Sequence, residues 1–430
     1  MVFRAVGAAA LFVLAASSAV AQSFDPGMGG PGGPGMPGPG MGGPAMTGPG
    51  WAPVSTSADP LLGSGVSTLS GNGGGSRFWI EAGYQAGFVS NLPTPAILAT
   101  RGGTFGVQGA AGVSNALGGG SADFNTLHGG RFSAGLWLDS NRAYGIEASA
   151  FFLSEGSTSS STGGGGVLAR PFFDTSIQGQ NVRILNLPGQ VSGSITSSAT
   201  SEFWGADLGP IVRVIETEMI TLDQLFYFRY LNLEESMVVS DTVSPVGGAV
   251  TFRGQAIRGP GSAVSVRDSA STTNHFYGGG VGARLSITPG RFSASVTGKI
   301  AVGGTTESLV LDGSTTLSGA GANQSAAGGL LVPGASNGRY SQSKLTYVPE
   351  VGVKLGFQIT QNFGVYVGYN FLYMSQVSRP GGNFATSVNP TQLPSSQNFG
   401  VPFGPNPAPV QLMSSDFFMH SVGVGGNVKF

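Results

Sequence analysis

Ten charged side chains recur among small residues at alternating positions: Glu81, Glu147, Asp207, Arg213, Arg229, Arg284, Lys299, Glu350, Lys354 and Lys429. Carboxylates and cations gathered on one wet face can do two kinds of work. They can line a water path and bias which ions or solutes pass, or they can pair with each other and fill the space. Catalysis has little to rest on. A hydrolytic site would set a His beside a Ser and an orienting polar group. The chain has three His. They are His128, His275 and His420; His420 falls on the bulky face of the last segment, and His275 adjoins Asn274 at a segment end. The run Gly278-Gly279-Gly280-Val281-Gly282-Ala283 fits a dinucleotide fingerprint by its letters, but no helix follows it. With no Cys and so few His, thiolate sites, disulfides and a metal cluster are not expected. The expectation is a non-enzyme with no cofactor.

The elements that would position these charges are strands. Residues 418–430 read FMHSVGVGGNVKF. Phe418, His420, Val422, Val424, Val428 and Phe430 share one parity; Ser421, Gly423, Gly425, Asn427 and Lys429 share the other. Side chains alternate faces along a strand, so this is a ribbon with a greasy face and a wet face. The same alternation returns at 78–88, 131–139, 143–153, 201–214, 224–234, 277–287, 292–302, 350–359 and 363–373. All ten charges fall on the small-residue face. A charge turned to lipid near the midplane costs about 2–4 kcal/mol, and one turned to a wet lumen costs little.

The connections alternate in length. Long ones span about 90–129, 154–200, 236–273, 304–343 and 376–415. Short ones are Ser140-Asn141-Arg142, roughly 215–223, Thr288-Pro289-Gly290 and Thr360-Gln361-Asn362. Short periplasmic turns and long extracellular loops are the plan of an outer-membrane barrel. Aromatics cluster at the expected strand ends. Phe88, Phe152, Trp204, Tyr277, Tyr373 and Phe418 stand at the long-loop rim; Phe78, Trp137, Tyr144, Phe292, Phe363 and Phe430 stand at the short-turn rim. A soluble sandwich would need its greasy faces to meet each other, and its loops need not alternate. The expected fold is an all-β, transmembrane, antiparallel up-and-down barrel of about ten strands, with twelve as the alternative. Residues such as Ser308 to Leu317 could extend as hairpins above the membrane or join the wall.

Charged residues make up 10% of the chain, against roughly 25% in a typical soluble protein. Net charge is −1, with no basic stripe to neutralise phosphates, so a nucleic-acid partner is not expected. The first residues, MVFRAVGAAALFVLAASSAVAQS, carry Arg4, an apolar run and Ala19-Val20-Ala21. They predict an export signal over 1–21, cleaved after Ala21. Residues 22–76 are rich in Gly and Pro and predict a disordered leader. Residues 77–430 are the expected barrel domain.

Several phrases then carry a family likeness. They include AYGIEASAFFL (143–153), VLARPFFD (167–174), FRYLNLEES (228–236), NHFYGGGVGARL (274–285), GRYSQSKLTYVPEVGVKLGFQIT (338–360) and VYVGYNFLYMSQVSRPG (365–381). In this order they resemble the putative beta-barrel porin-7 family of bacterial outer-membrane proteins, over about Phe78 to Phe430. The resemblance implies a barrel in the outer membrane of a Gram-negative-type envelope and a transport role, without a defined substrate. The expected function is passive diffusion of small hydrophilic solutes through a lumen lined by the ten charges. The alternative is a closed barrel that displays its loops as a structural or adhesive surface element. Expected partners are outer-membrane lipid, the solutes, and the barrel assembly machinery acting on the strand that ends at Phe430.

Overall fold

The computed structural model describes residues 77–430 apart from 96, 320–322 and 406–408. The expected export signal (1–21) and leader (22–76) lie outside the described residues. Ten antiparallel strands form a closed ring. They are β1 (Phe78–Val89), β2 (Leu127–Trp137), β3 (Tyr144–Gly163), β4 (Val191–Glu216), β5 (Ile220–Pro245), β6 (Ala263–Ile287), β7 (Phe292–Ser318), β8 (Gly338–Gln358), β9 (Phe363–Ser378) and β10 (Ser414–Lys429). Each pairs with its neighbours in sequence, and β1 pairs with β10 to close the ring. Phe430 N–H donates to the Phe78 carbonyl at 2.8 Å and Phe78 N–H to the Phe430 carbonyl at 3.3 Å. Closure leaves no open edge, so every wall strand satisfies its backbone groups inside the protein, as hydrocarbon surroundings demand.

The outer face is apolar. Ile80, Tyr84, Phe132, Leu136, Ile146, Phe226, Val281, Val296, Val353, Val367 and Val424 are all exposed. A soluble sheet would bury these side chains, whereas a transmembrane barrel turns them outward.

Wall height is uneven. β1 and β2 hold 12 and 11 residues, close to the roughly 9–11 that a tilted crossing requires. β4, β5, β6 and β7 hold 26, 26, 25 and 27. Their upper halves stand above the membrane, and the outward residues change accordingly. On β4 they run Ser192, Ser194, Thr196, Ser198 and Thr200, then Trp204, Ala206 and Leu208. On β6 they run Ser265, Arg267, Ser269, Ser271 and Thr273, then Tyr277, Val281 and Leu285. The lipid–water boundary therefore passes near Trp204, Tyr230 and Tyr277.

These extensions shorten three of the expected long loops to 164–190, 246–262 and 319–337, while the first and fifth span 90–126 and 379–413. Ser308–Leu317 joins the wall, paired with β6. Sequence periodicity misplaces these strand ends because above the membrane the outward face is Ser and Thr, and the greasy signal disappears there. Trp137 stands at the turn end of β2, as expected for the short-turn rim, but it does not join the outward girdle. It points inward, 7% exposed, beside Trp79 at 5.4 Å and under the Arg213 guanidinium at 4.6 Å. Its parity is that of Arg131 and Gly135. Gly135 has no room for a side chain: a Cβ there would lie 2.0 Å from the Trp79 ring.

The turns are short for local reasons. Asp139 accepts N–H groups from Tyr144 (2.9 Å), Ala143 (3.1 Å) and Asn141 (3.1 Å). These donors, Tyr144 foremost, hold its carboxyl below the usual range. Thr217 Oγ1 accepts the Ile220 N–H at 2.9 Å. Gly290 turns the chain at φ +66°, a conformation glycine adopts without strain.

Candidate functional site

The barrel interior is stacked in layers. Nearest the turns is a cavity of about 480 Å³, reaching from Arg142, Glu218 and Thr288 up to Glu350 and Asn370. Eight of the ten charges expected to face the lumen line it: Glu81, Glu147, Arg213, Arg284, Lys299, Glu350, Lys354 and Lys429. Asp207 lines a small adjoining void of about 20 Å³. Arg229 is buried between two carboxylates.

Nine of these ten are paired, and most pairs span the lumen. Arg284 on β6 meets Glu147 on β3 at 2.6 Å. Lys299 on β7 reaches Asp207 on β4 at 3.0 Å. Lys354 on β8 donates to Glu81 on β1, and Arg229 on β5 donates to Glu350 on β8. Each of these pairs links strands three places apart in a ring of ten. Between neighbouring strands, Arg229 meets Asp207 at 2.6 Å and Arg213 meets Asp223 at 2.9 Å. Lys429 sits at the turn rim with its carbonyl bonded to Asn362 Nδ2 at 2.7 Å.

Sequence reasoning missed three members of the network. Arg131 on β2 donates to Glu350 at 3.3 Å, four places around the ring. Asn370 Nδ2 donates to the same carboxylate at 2.7 Å. Asp223 falls in a segment expected to be turn. The inward parity of Arg131 with Ser133 was a usable signal; the register that sets Asp223 opposite Arg213 was not visible.

Above the charges lies an apolar layer to which every wall strand except β1 contributes a buried apolar side chain. They are Leu127, Phe151, Phe203, Leu231, Phe276, Ala301, Val348, Leu372 and Phe417, from β2 to β10 in order; β1 supplies Gln85. All are at most 8% exposed. Phe203 on β4 touches Phe417 on β10 across the lumen, ring centres 4.8 Å apart and nearly edge to face, and Phe151 meets Phe203 at 5.2 Å. Side chains from all ten strands thus converge on the lumen at this level.

The loops are latched over that layer by buried ion pairs. Arg170, in the loop strand Leu168–Asp174, donates to Asp241 on β5 (2.7 Å) and Asp268 on β6 (2.8 Å). Burial pulls its pKa down, and Asp268 and Asp241 more than reverse this, leaving it above the ordinary value. Asp268 Oδ1 also accepts the N–H groups of Leu331 and Val332, each at 2.8 Å, which ties in the fourth loop. Arg379 in the fifth loop grips Glu235 on β5 at 2.6 and 2.9 Å and donates to the Ser90 and Asn91 carbonyls at 3.0 and 2.8 Å.

The three His lie on the outer face. Each Nδ1 is bonded to a Tyr hydroxyl on the neighbouring strand: His128 with Tyr84 (2.5 Å), His275 with Tyr230 (2.8 Å) and His420 with Tyr369 (2.6 Å).

A family model described as putative beta barrel porin-7 matches residues 79–430. No curated protein matches. Among solved structures, the outer-membrane protease OmpT from Escherichia coli is similar at 11% identity and TM-score 0.36, over 85% of this chain and 99% of that one. The attachment invasion locus protein Ail of Yersinia pestis is similar at 9% identity and TM-score 0.18, over 82% and 99%. An anion-selective porin from Comamonas acidovorans is similar at 7% identity and TM-score 0.19, over 83% and 100%.

Proposed function

This chain belongs to the putative beta barrel porin-7 family, an outer-membrane β-barrel family, and from that premise we propose that it is a barrel closed at rest that carries a folded cap on the cell surface. One observation carries this reading: Phe203 and Phe417 meet across the lumen within a layer to which all ten strands contribute a buried side chain. A resting pore needs a continuous water path, and a packed apolar layer is the device by which narrow channels exclude water. The cap supports the same reading. Its loops bury Leu98, Leu168, Phe172, Leu330, Val332 and Val388 and are pinned to the tall hairpins by Arg170 and Arg379. A platform that presents a surface gains from such rigidity.

Current through a planar bilayer tests it. Purified protein should be silent, while cells bearing Val246→Cys should react with an impermeant thiol reagent, since Val246 is exposed just past the loop end of β5 and the chain has no other thiol. Stepwise openings of the unmodified protein would overturn the closed reading.

A second reading, passage of small hydrophilic solutes, is favoured by the charged cavity of about 480 Å³ on the turn side. It requires the apolar layer to move. Under that reading Arg284→Glu and Lys299→Glu shift ion preference toward cations once current flows, and unchanged preference in both variants refutes the lining.

A further inference from the structure

All three histidines of the chain make the same arrangement in three separate places. In each, a Tyr stands on an odd-numbered strand rising toward the loops, and a His stands on the next strand. Ala86 is paired with His128, Asn232 with His275 and Phe371 with His420, and the Tyr precedes that paired residue by two: Tyr84, Tyr230, Tyr369. Every Tyr hydroxyl bonds Nδ1, and the two rings lie 6.0, 6.1 and 6.1 Å apart. Two of the seams, β1/β2 and β9/β10, flank the β10/β1 closure and the third, β5/β6, lies on the opposite side of the ring; all are on its outer face at the loop end of the apolar band.

A neutral Tyr hydroxyl that donates to Nδ1 leaves the imidazole proton on Nε2. No described residue accepts from any of these Nε2 atoms. With that tautomer each Nε2 is a donor on the outer face, where hydrocarbon gives way to headgroups. An unpaired donor in that zone is costly, so lipid or water must satisfy it. The local charge selects among lipid acceptors. No Lys or Arg side chain is paired with any of these six residues, whereas Glu234 and Glu202 stand one step loopward of the β5/β6 seam and Asp416 stands loopward of His420. At the β5/β6 and β9/β10 seams a phosphate would meet carboxylates and no paired cation; an uncharged carbonyl meets no such penalty.

We propose that His128, His275 and His420 are hooks for acyl carbonyl groups of outer-leaflet lipids, each held in the Nε2–H tautomer by its Tyr, and that together they set the depth of the barrel in the membrane. The proposal rests on the outer-membrane placement but not on whether the barrel is closed or conducts.

The test extracts full-length protein from bilayers that mix, in equal amounts, diester and diether lipids of the same headgroup and chains, and measures the bound lipids by native mass spectrometry. Diether lipid lacks the carbonyl. Wild type should retain diester lipid in excess, by a factor of about 2–10 per engaged site, the worth of one neutral hydrogen bond. His128→Phe, His275→Phe and His420→Phe combined should bring the ratio to one. His→Gln, which keeps an N–H donor, should preserve most of the excess, and Tyr→Phe at the three partners should lose part of it. Single His variants give the same comparison should the triple variant fail to fold. A wild-type ratio of one overturns the proposal, as does an unchanged ratio in the His→Phe variants, which would mean the pairs only staple adjacent strands. Retention governed by anionic against zwitterionic headgroups overturns it in favour of phosphate.

Discussion

Replacing Arg379 by Met should release the fifth loop by an amount the structure specifies. The guanidinium is 3% exposed and Glu235 is 0% exposed. Two bonds join Arg379 to the carboxylate, two more go to the Ser90 and Asn91 carbonyls, and the Phe417 ring lies 5.7 Å away. Removing the cation strands a buried carboxylate, a loss of about 3–5 kcal/mol. That is roughly a hundred- to several-thousand-fold rise in the open population of the loop. Proteolysis of a rapidly opening segment tracks that population. Cleavage within 379–413, mapped by mass spectrometry in detergent, should therefore accelerate by about that factor, with the second loop (164–190) as internal reference. Glu235→Met alone should also accelerate cleavage. The double variant should lie nearer wild type than either single, because a pair of neutral side chains carries no stranded charge. Wild-type cleavage in Arg379→Met, or a double variant worse than both singles combined, would refute the latch.

Three other expectations follow from the same geometry. Glu350→Gln should destabilise the barrel by about 3–5 kcal/mol in denaturant titration, because Arg131 loses its carboxylate and Arg229 loses one of two; wild-type stability would contradict the network. Val353→Lys, outward within the apolar band, should lower stability by about 2–4 kcal/mol, while Thr196→Lys, outward above the band, should change it little. Equal effects of the two would misplace the boundary. Asp139 contributes through its ionised form, so its contribution is present above its ordinary value of 3.8 and is lost as pH falls through its lowered one. The stability gap between wild type and Asp139→Ala should shrink on acidification through that range, and a gap independent of pH would count against the turn's carboxylate.

Within the membrane, period-two alternation was enough to read the wall. Bulky residues such as Val353, Leu355 and Phe357 must meet lipid, and charges such as Lys354 must not, so a strand buried on neither face by protein still writes its orientation into its residues. The same logic gave the inward parity of the charges, eight of which line the turn-side cavity. It failed where the outer surroundings change to water. There Ser and Thr take the outward positions, and the upper halves of β4 to β7 looked like loops.

Pairing partners and filling were beyond that reach. Periodicity says that Phe203 and Phe417 point inward or nearly so, but not that they touch; 214 residues separate them in the chain, and only ring closure with this register sets β4 and β10 face to face. Nor could composition tell a water-lined passage from a network of ion pairs under an apolar layer, because both require the same inward charges. Which cation meets which carboxylate, and whether any space remains between them, depends on barrel diameter and on strand stagger. Those are properties of ten strands together and are recorded in none of them singly.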